Sequence, residues 1–132
     1  MVALVQFGTL NKGLIDSYIA GRQMVATNTA LGEFLDGVRR LAGPIEQINT
    51  DVLLPQIFPV LDLPSARFAA LTPGGSLGAN DIIIFGTGDQ LGIETLTGDA
   101  TAVNAVQSRG IRINQPGGFR VWIHPPARFK RL

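Results

Sequence analysis

Cysteine is absent from the 132 residues and histidine occurs once, so the chain has no disulfide, no thiolate nucleophile or ligand, and no imidazole cluster of the kind zinc takes. Charge is also scarce. Asp, Glu, Lys and Arg make up 16% of the chain, where about 25% is usual, while 45% is hydrophobic. Eleven basic against ten acidic side chains leave a net +1, so no global field marks nucleic acid, an anionic membrane or an acidic substrate as the partner. No apolar run approaches the 18 residues of a membrane span, and residues 1–8 lack the basic start and small-residue cleavage site of a signal peptide. These absences lead us to expect a non-secreted soluble protein, cytoplasmic by default, with no cofactor and no metal. The length fits one ordinary domain.

What is present divides into two grammars. Between positions 14 and 53 apolar residues recur at helical spacing, with Leu31, Leu35, Val38, Ala42, Ile45, Ile48 and Val52 on one line. Gly43 before Pro44 reads as a stop and a new start. The spacing predicts helices over 11–26, 29–42 and 44–54. Pro55, Pro59 and Pro64 then alternate with Ile57, Phe58, Val60, Leu61 and Leu63, which reads as a packed apolar connector over 55–65. Beyond it, short β-prone runs at 66–71, 81–85, 91–97, 100–106, 110–114 and 118–124 are punctuated by Gly with Pro or Asp.

The expected fold class is therefore α+β: an N-terminal strand and helical region (1–54), the connector (55–65), a small antiparallel β-barrel or sandwich (66–124) and a basic extended arm (125–132). Charge follows the division. Residues 1–65 carry four basic and six acidic side chains, residues 66–132 seven and four, and no acid follows Asp99. Arg109, Arg112, Arg120, Trp122, Arg128, Phe129, Lys130 and Arg131 are the expected partner-binding residues, facing an acidic protein surface or, as the alternative, nucleic acid with Trp122 stacking on bases.

Three motifs bear on catalysis. Gly74-Gly75-Ser76-Leu77-Gly78 matches G-x-S-x-G, with Asp81, Asp89 or Asp99 and then His124 completing the order Ser, Asp, His. That nucleophile needs a strand-to-helix turn, whereas a strand is expected after Gly78, so a hairpin turn accounts for the string. Gly86-Thr87-Gly88-Asp89-Gln90-Leu91 resembles the start of a dinucleotide fingerprint but ends on Leu91 and is read as a hairpin loop. Asp81, Asp89, Glu94 and Asp99 are oxygen ligands that a hard cation such as calcium accepts, though their spacing fits no EF-hand and Asp beside Gly is ordinary turn chemistry. His124, at a strand end before two prolines, reads as an edge polar group.

Low charge, several apolar segments and reaching arms suit a non-enzymatic subunit that packs against copies of itself and a larger shell. In general build, helices joined to a Gly-rich barrel with arms resemble the decoration, cement and head-to-tail joining proteins of tailed bacteriophages. The resemblance implies a capsid or portal partner, a place in the virion and no cofactor; independently of it, no membrane partner is expected. A nucleic-acid-binding small β-barrel and a small ligand-binding or hydrolytic domain around Ser76 and Asp89 are the rival readings.

Overall fold

The computed structural model describes residues 2–5, 23–41 and 57–123. Five strands and four helices alternate through them: β1 (Val2–Val5), β2 (Gln23–Thr27), α1 (Asn28–Leu41), β3 (Ile57–Val60), α2 (Ala66–Ala69), α3 (Ala79–Leu91), β4 (Glu94–Thr97), α4 (Ala100–Ser108) and β5 (Val121–Ile123). The strands form one sheet in the order β3-β2-β1-β4-β5, and every pairing is parallel. The fold is mixed α/β. The antiparallel barrel or sandwich expected from the sequence is not formed: no barrel closes among the described residues, and the strands run one way.

The physical reason lies in the connections. Parallel neighbours require long crossovers, and the stretches read as strands at 66–71, 81–85 and 100–106 supply them as helices α2, α3 and α4. The reading of 11–26 as helix also fails at its end, where Gln23–Thr27 is strand β2. Residues 110–114 form only an isolated parallel bridge, Ile113 with Phe119. The helix expected over 29–42 is α1, and the strand expected over 91–97 narrows to β4. The helix expected over 44–54, most of that over 11–26, and the arm over 125–132 lie outside the described residues.

β1 is the central strand, with β2 and β4 on its two sides. Its run Val-Ala-Leu-Val is the continuous apolar kind that parallel strands with covered faces adopt, and Leu4 is fully buried. The apolar connector contributes β3, an edge strand, which explains how Pro59 can pair opposite Ala26: its missing N–H faces away from the ladder. The sheet thus joins β1 and β2, β3, and β4 with β5, drawn from three stretches the sequence set apart.

α3 decides the architecture. Ile82, Ile84, Phe85, Thr87 and both neighbouring glycines, Gly86 and Gly88, are buried, because the helix is enclosed by α1, α2 and β4. It has no polar stripe, so its sequence lacks the helical period, and Ile82-Ile83-Ile84-Phe85 imitates a strand. Gly86 and Gly88 are contact points rather than a loop. A Cβ on Gly86 would lie 2.5 Å from Pro64 Cβ and 2.8 Å from Phe68 Cβ. The helix ends at Gly92 in the left-handed conformation, φ 68°, whose N–H reaches the Asp89 carbonyl while Ile93 N–H reaches that of Gly88. Beneath it, Phe119 packs edge-on to Phe68 at 5.1 Å and against Phe85 at 5.5 Å between centroids.

Candidate functional site at the carboxyl edge

A parallel sheet whose strand order turns outward in both directions from the middle has a crevice at its carboxyl edge, where successive connections leave in opposite directions. Here that point lies between β1 and β4. Two strand-to-helix junctions flank it. β2 ends in Thr27, fully buried, whose Oγ1 accepts the Ala30 N–H at 3.0 Å and so caps α1. β4 ends in Thr97, also fully buried, whose Oγ1 accepts the Asp99 N–H at 3.1 Å. Asp99 then caps α4, its Oδ1 accepting the Ala102 N–H at 3.0 Å and the Thr101 hydroxyl at 2.8 Å. The second carboxylate oxygen of Asp99 meets no donor among the described residues.

Further carboxylates gather at the same edge. Asp81, in the first turn of α3, accepts the Gly78 N–H at 2.9 Å. Asn80 beside it donates to Glu33 Oε2 of α1 at 2.9 Å, tying the two helix starts together. Asp62, just past β3, accepts the Thr29 N–H at 3.1 Å and the Thr29 hydroxyl. The edge therefore presents helix starts, whose N–H groups favour anions, together with carboxylates, which favour cations. Among the described residues no group of three Asp, Glu or His converges as a self-sufficient metal cage. A magnesium ion asks for less: one or two carboxylates, with water and ligand phosphates completing its octahedron.

The four carboxylates singled out in the sequence divide. Asp81 and Asp99 stand at the carboxyl edge, whereas Glu94 begins β4 and Asp89 belongs to the last turn of α3, at the amino edge. Asp89 is structural. Its Oδ2 accepts from Ser65 Oγ at 2.6 Å and Arg67 Nε at 2.8 Å, its Oδ1 from Arg67 Nη2 at 2.5 Å, and Arg67 Nη1 reaches on to the Gly117 carbonyl at 2.8 Å. Burial pushes the Asp89 carboxyl up, but the hydrogen bonds from Arg67 and Ser65 outweigh it and hold it below the usual carboxylate range. Hydrogen bonding to Asp89, partly offset by burial, raises Arg67 above its ordinary value.

Ser76 occupies the turn of a small hairpin closed by paired bonds between Gly74 and Leu77, at 2.9 and 3.1 Å. A helix does follow, at Ala79, correcting the strand expected there, but Gly78 intervenes and the exposed Ser76 points from a hairpin rather than a strand end. Gly86-Thr87-Gly88-Asp89 is helix interior, which corrects the hairpin loop expected there and leaves no cradle for a pyrophosphate.

Of the expected partner-binding residues, Arg109 donates to the carbonyls of Thr72 at 2.6 Å and Gly74 at 3.2 Å, and Arg120 to that of Gly92 at 3.2 Å. Arg112 is exposed, and Trp122 is half-buried against the core. Arg128, Phe129, Lys130 and Arg131, like His124, lie outside the described residues. Sequence reasoning missed Thr27, Glu33, Asn80 and Asp62. Thr27 had a signal: the apolar run Met24-Val25-Ala26-Thr27 opening directly into a helix is matched by Leu96-Thr97-Gly98-Asp99, and paired junctions of that kind mark β-α-β units.

The architecture and edge define an open α/β domain with a parallel sheet and a polar carboxyl edge. Residues 9–128 match a family described as protein of unknown function (DUF1308), and the chain belongs to that family.

Proposed function

We propose that the carboxyl edge between β1 and β4 binds a phosphate-bearing ligand together with a divalent cation. Asp99 is the observation that carries this reading. It stands at the switch in strand order, half-buried, with one carboxylate oxygen spent on capping α4 and the other without a donor among the described residues. Asp81, held by the Gly78 N–H, supports it as a second carboxylate at the same edge. A cation between such groups and a phosphate oxygen neutralises both, which the carboxylates alone would repel. A cation held there is also able to activate water, so hydrolysis of a phosphate ester is the activity to look for.

The test is calorimetric titration of the full chain with Mn²⁺, alone and with a simple phosphodiester. Binding that the diester tightens and Asp99→Asn abolishes is the expected result. Absence of cation heat in both titrations overturns the reading. A second reading, that copies of the chain pack against one another, is favoured by exposed Phe58, Leu61 and Leu63 beside the edge strand. The likeness in build to phage joining proteins rested on a Gly-rich barrel, which the described residues do not form.

A further inference from the structure

Among the described residues the carboxyl end of the sheet is acidic and the amino end has more basic than acidic side chains. At the carboxyl edge stand Glu33, Asp62, Asp81 and Asp99, and just past Val60, beside Asp62, Leu61 is 77% exposed. At the amino edge stand Arg109, following α4, Arg112, in the loop toward β5, and Arg120, directly before β5, together with Glu94 at the start of β4 and with Asp89, whose charge Arg67 already meets. None of these three arginines meets a carboxylate among the described residues. Arg109 and Arg120 are aimed by backbone carbonyls, and a guanidinium with five N–H groups keeps donors to spare after one or two such bonds. Leu91, 47% exposed, adjoins Gly92, whose carbonyl holds Arg120, so this edge too sets an apolar side chain among its charges.

We propose that the amino edge of one copy docks on the carboxyl edge of a second, head to tail. An edge with excess base matches an acidic edge better than it matches its own kind, which disfavours contacts of like edges and suits a heterologous contact that closes into a ring or runs on as a filament. The low charge content serves such a contact, because few competing surface charges dilute the two faces. Arginine suits the role, since its planar fork pairs two-pronged with a carboxylate. The inference rests on the carboxyl-edge reading in one respect: arginines of the second copy and the divalent cation compete for the same carboxylates.

Exposed ion pairs are individually weak and screened by salt, so association is expected to be concentration-dependent and to fall between low and moderate ionic strength. The experiment is sedimentation velocity of the full chain in 20 and 500 mM NaCl, for the wild type, Arg112→Glu, Asp99→Lys and an equimolar mixture of the two variants, with absorbance at 260 nm followed throughout. The expected result is assembly of the wild type at low salt, at least about tenfold weaker association for each variant alone, and recovery in the mixture, where an intact amino edge meets an intact carboxyl edge. Circular dichroism matching the wild type shows that each variant is folded. A wild-type monomer at low salt, variants that associate unchanged, or a monomer whose arginine edge carries salt-displaceable nucleic acid instead, each overturns the proposal. Mn²⁺ titration of Arg112→Glu separates the two readings: cation binding by that variant upholds the carboxyl-edge site whatever the assembly does. Assembly of a wild type that binds no cation upholds the contact alone.

Discussion

Gly88 of α3 lies so close to Thr95 of β4 that a Cβ on the glycine would fall 2.1 Å from the threonine Oγ1. The helix packs on the strand through this missing side chain. Thr95 is fully buried, and its hydroxyl has no hydrogen-bond partner among the described residues, so the close approach is obtained at the cost of an orphaned polar atom. Gly88→Ala drives its Cβ into that hydroxyl, so Thr95 must change rotamer or the helix and strand must separate, and the change is expected to lower stability by about 1–3 kcal/mol. Thr95→Val, which keeps the shape and removes the orphan, is expected to be neutral or stabilising by up to about 1 kcal/mol. Urea denaturation of both variants and of Gly88→Ala with Thr95→Ala checks this, since removing the facing side chain should recover part of the loss.

The same contact explains what the sequence concealed. Gly86 and Gly88 were legible as punctuation, because glycine beside Thr and Asp ordinarily marks a turn, yet their role is to let Pro64, Phe68 and Thr95 approach a buried helix. A helix covered on most sides loses the period by which helices are found, and α3 therefore read as a strand and a loop. α1 kept its amphipathic pattern and was legible. Of the carboxyl edge, Asp81 and Asp99 stood out only as two of four candidate oxygen ligands, with Asp89 and Glu94, and Glu33 and Asp62 join them only through the parallel order of the strands. That order is a property of long-range pairing, and no local pattern of residues expresses it.

Asp99 has two separable duties, and two substitutions part them. Asp99→Asn keeps a side-chain oxygen for the Ala102 N–H and Thr101 hydroxyl, so stability is expected to change by less than about 0.5 kcal/mol. Asp99→Ala removes the cap and is expected to cost about 1 kcal/mol, with the first turn of α4 fraying. Both should lose Mn²⁺ binding. Thermal denaturation beside Mn²⁺ calorimetry distinguishes a variant that is merely less stable from one that has lost a ligand.

Arg109 fastens the loop between α2 and α3 by its bonds to the Thr72 and Gly74 carbonyls. Fully buried Leu77 anchors the same loop from within, so the two hold it at different levels. Arg109→Ala is expected to cost no more than about 1 kcal/mol globally, since the freed carbonyls turn to water. Local opening should rise more than global unfolding. Hydrogen exchange at the Leu77 amide, bonded to the Gly74 carbonyl, is expected to quicken while the amides of β4 keep their rates.

Asp89 gives the fold one source of acid sensitivity. Its side chain is 8% exposed and that of Arg67 40%, so the pair is half-sheltered, and water screens part of its attraction. The carboxyl is held below its usual range in the folded chain, and in the unfolded chain it returns to the ordinary aspartate value of about 3.9. Between those two values the unfolded state binds the additional proton, so stability falls as pH falls through this interval and is fully present above the unfolded value. Protonation also takes an acceptor from Ser65 and Arg67, and with it one anchor of the arm that reaches the Gly117 carbonyl. Asp89→Asn is therefore expected to cost about 1–2 kcal/mol at neutral pH and to flatten the acid limb of the stability profile. Urea midpoints measured from pH 7 to pH 3 check it: the curves of the wild type and of the Asp89→Asn variant should converge toward the acid end, and parallel curves would show that Asp89 does not carry the dependence.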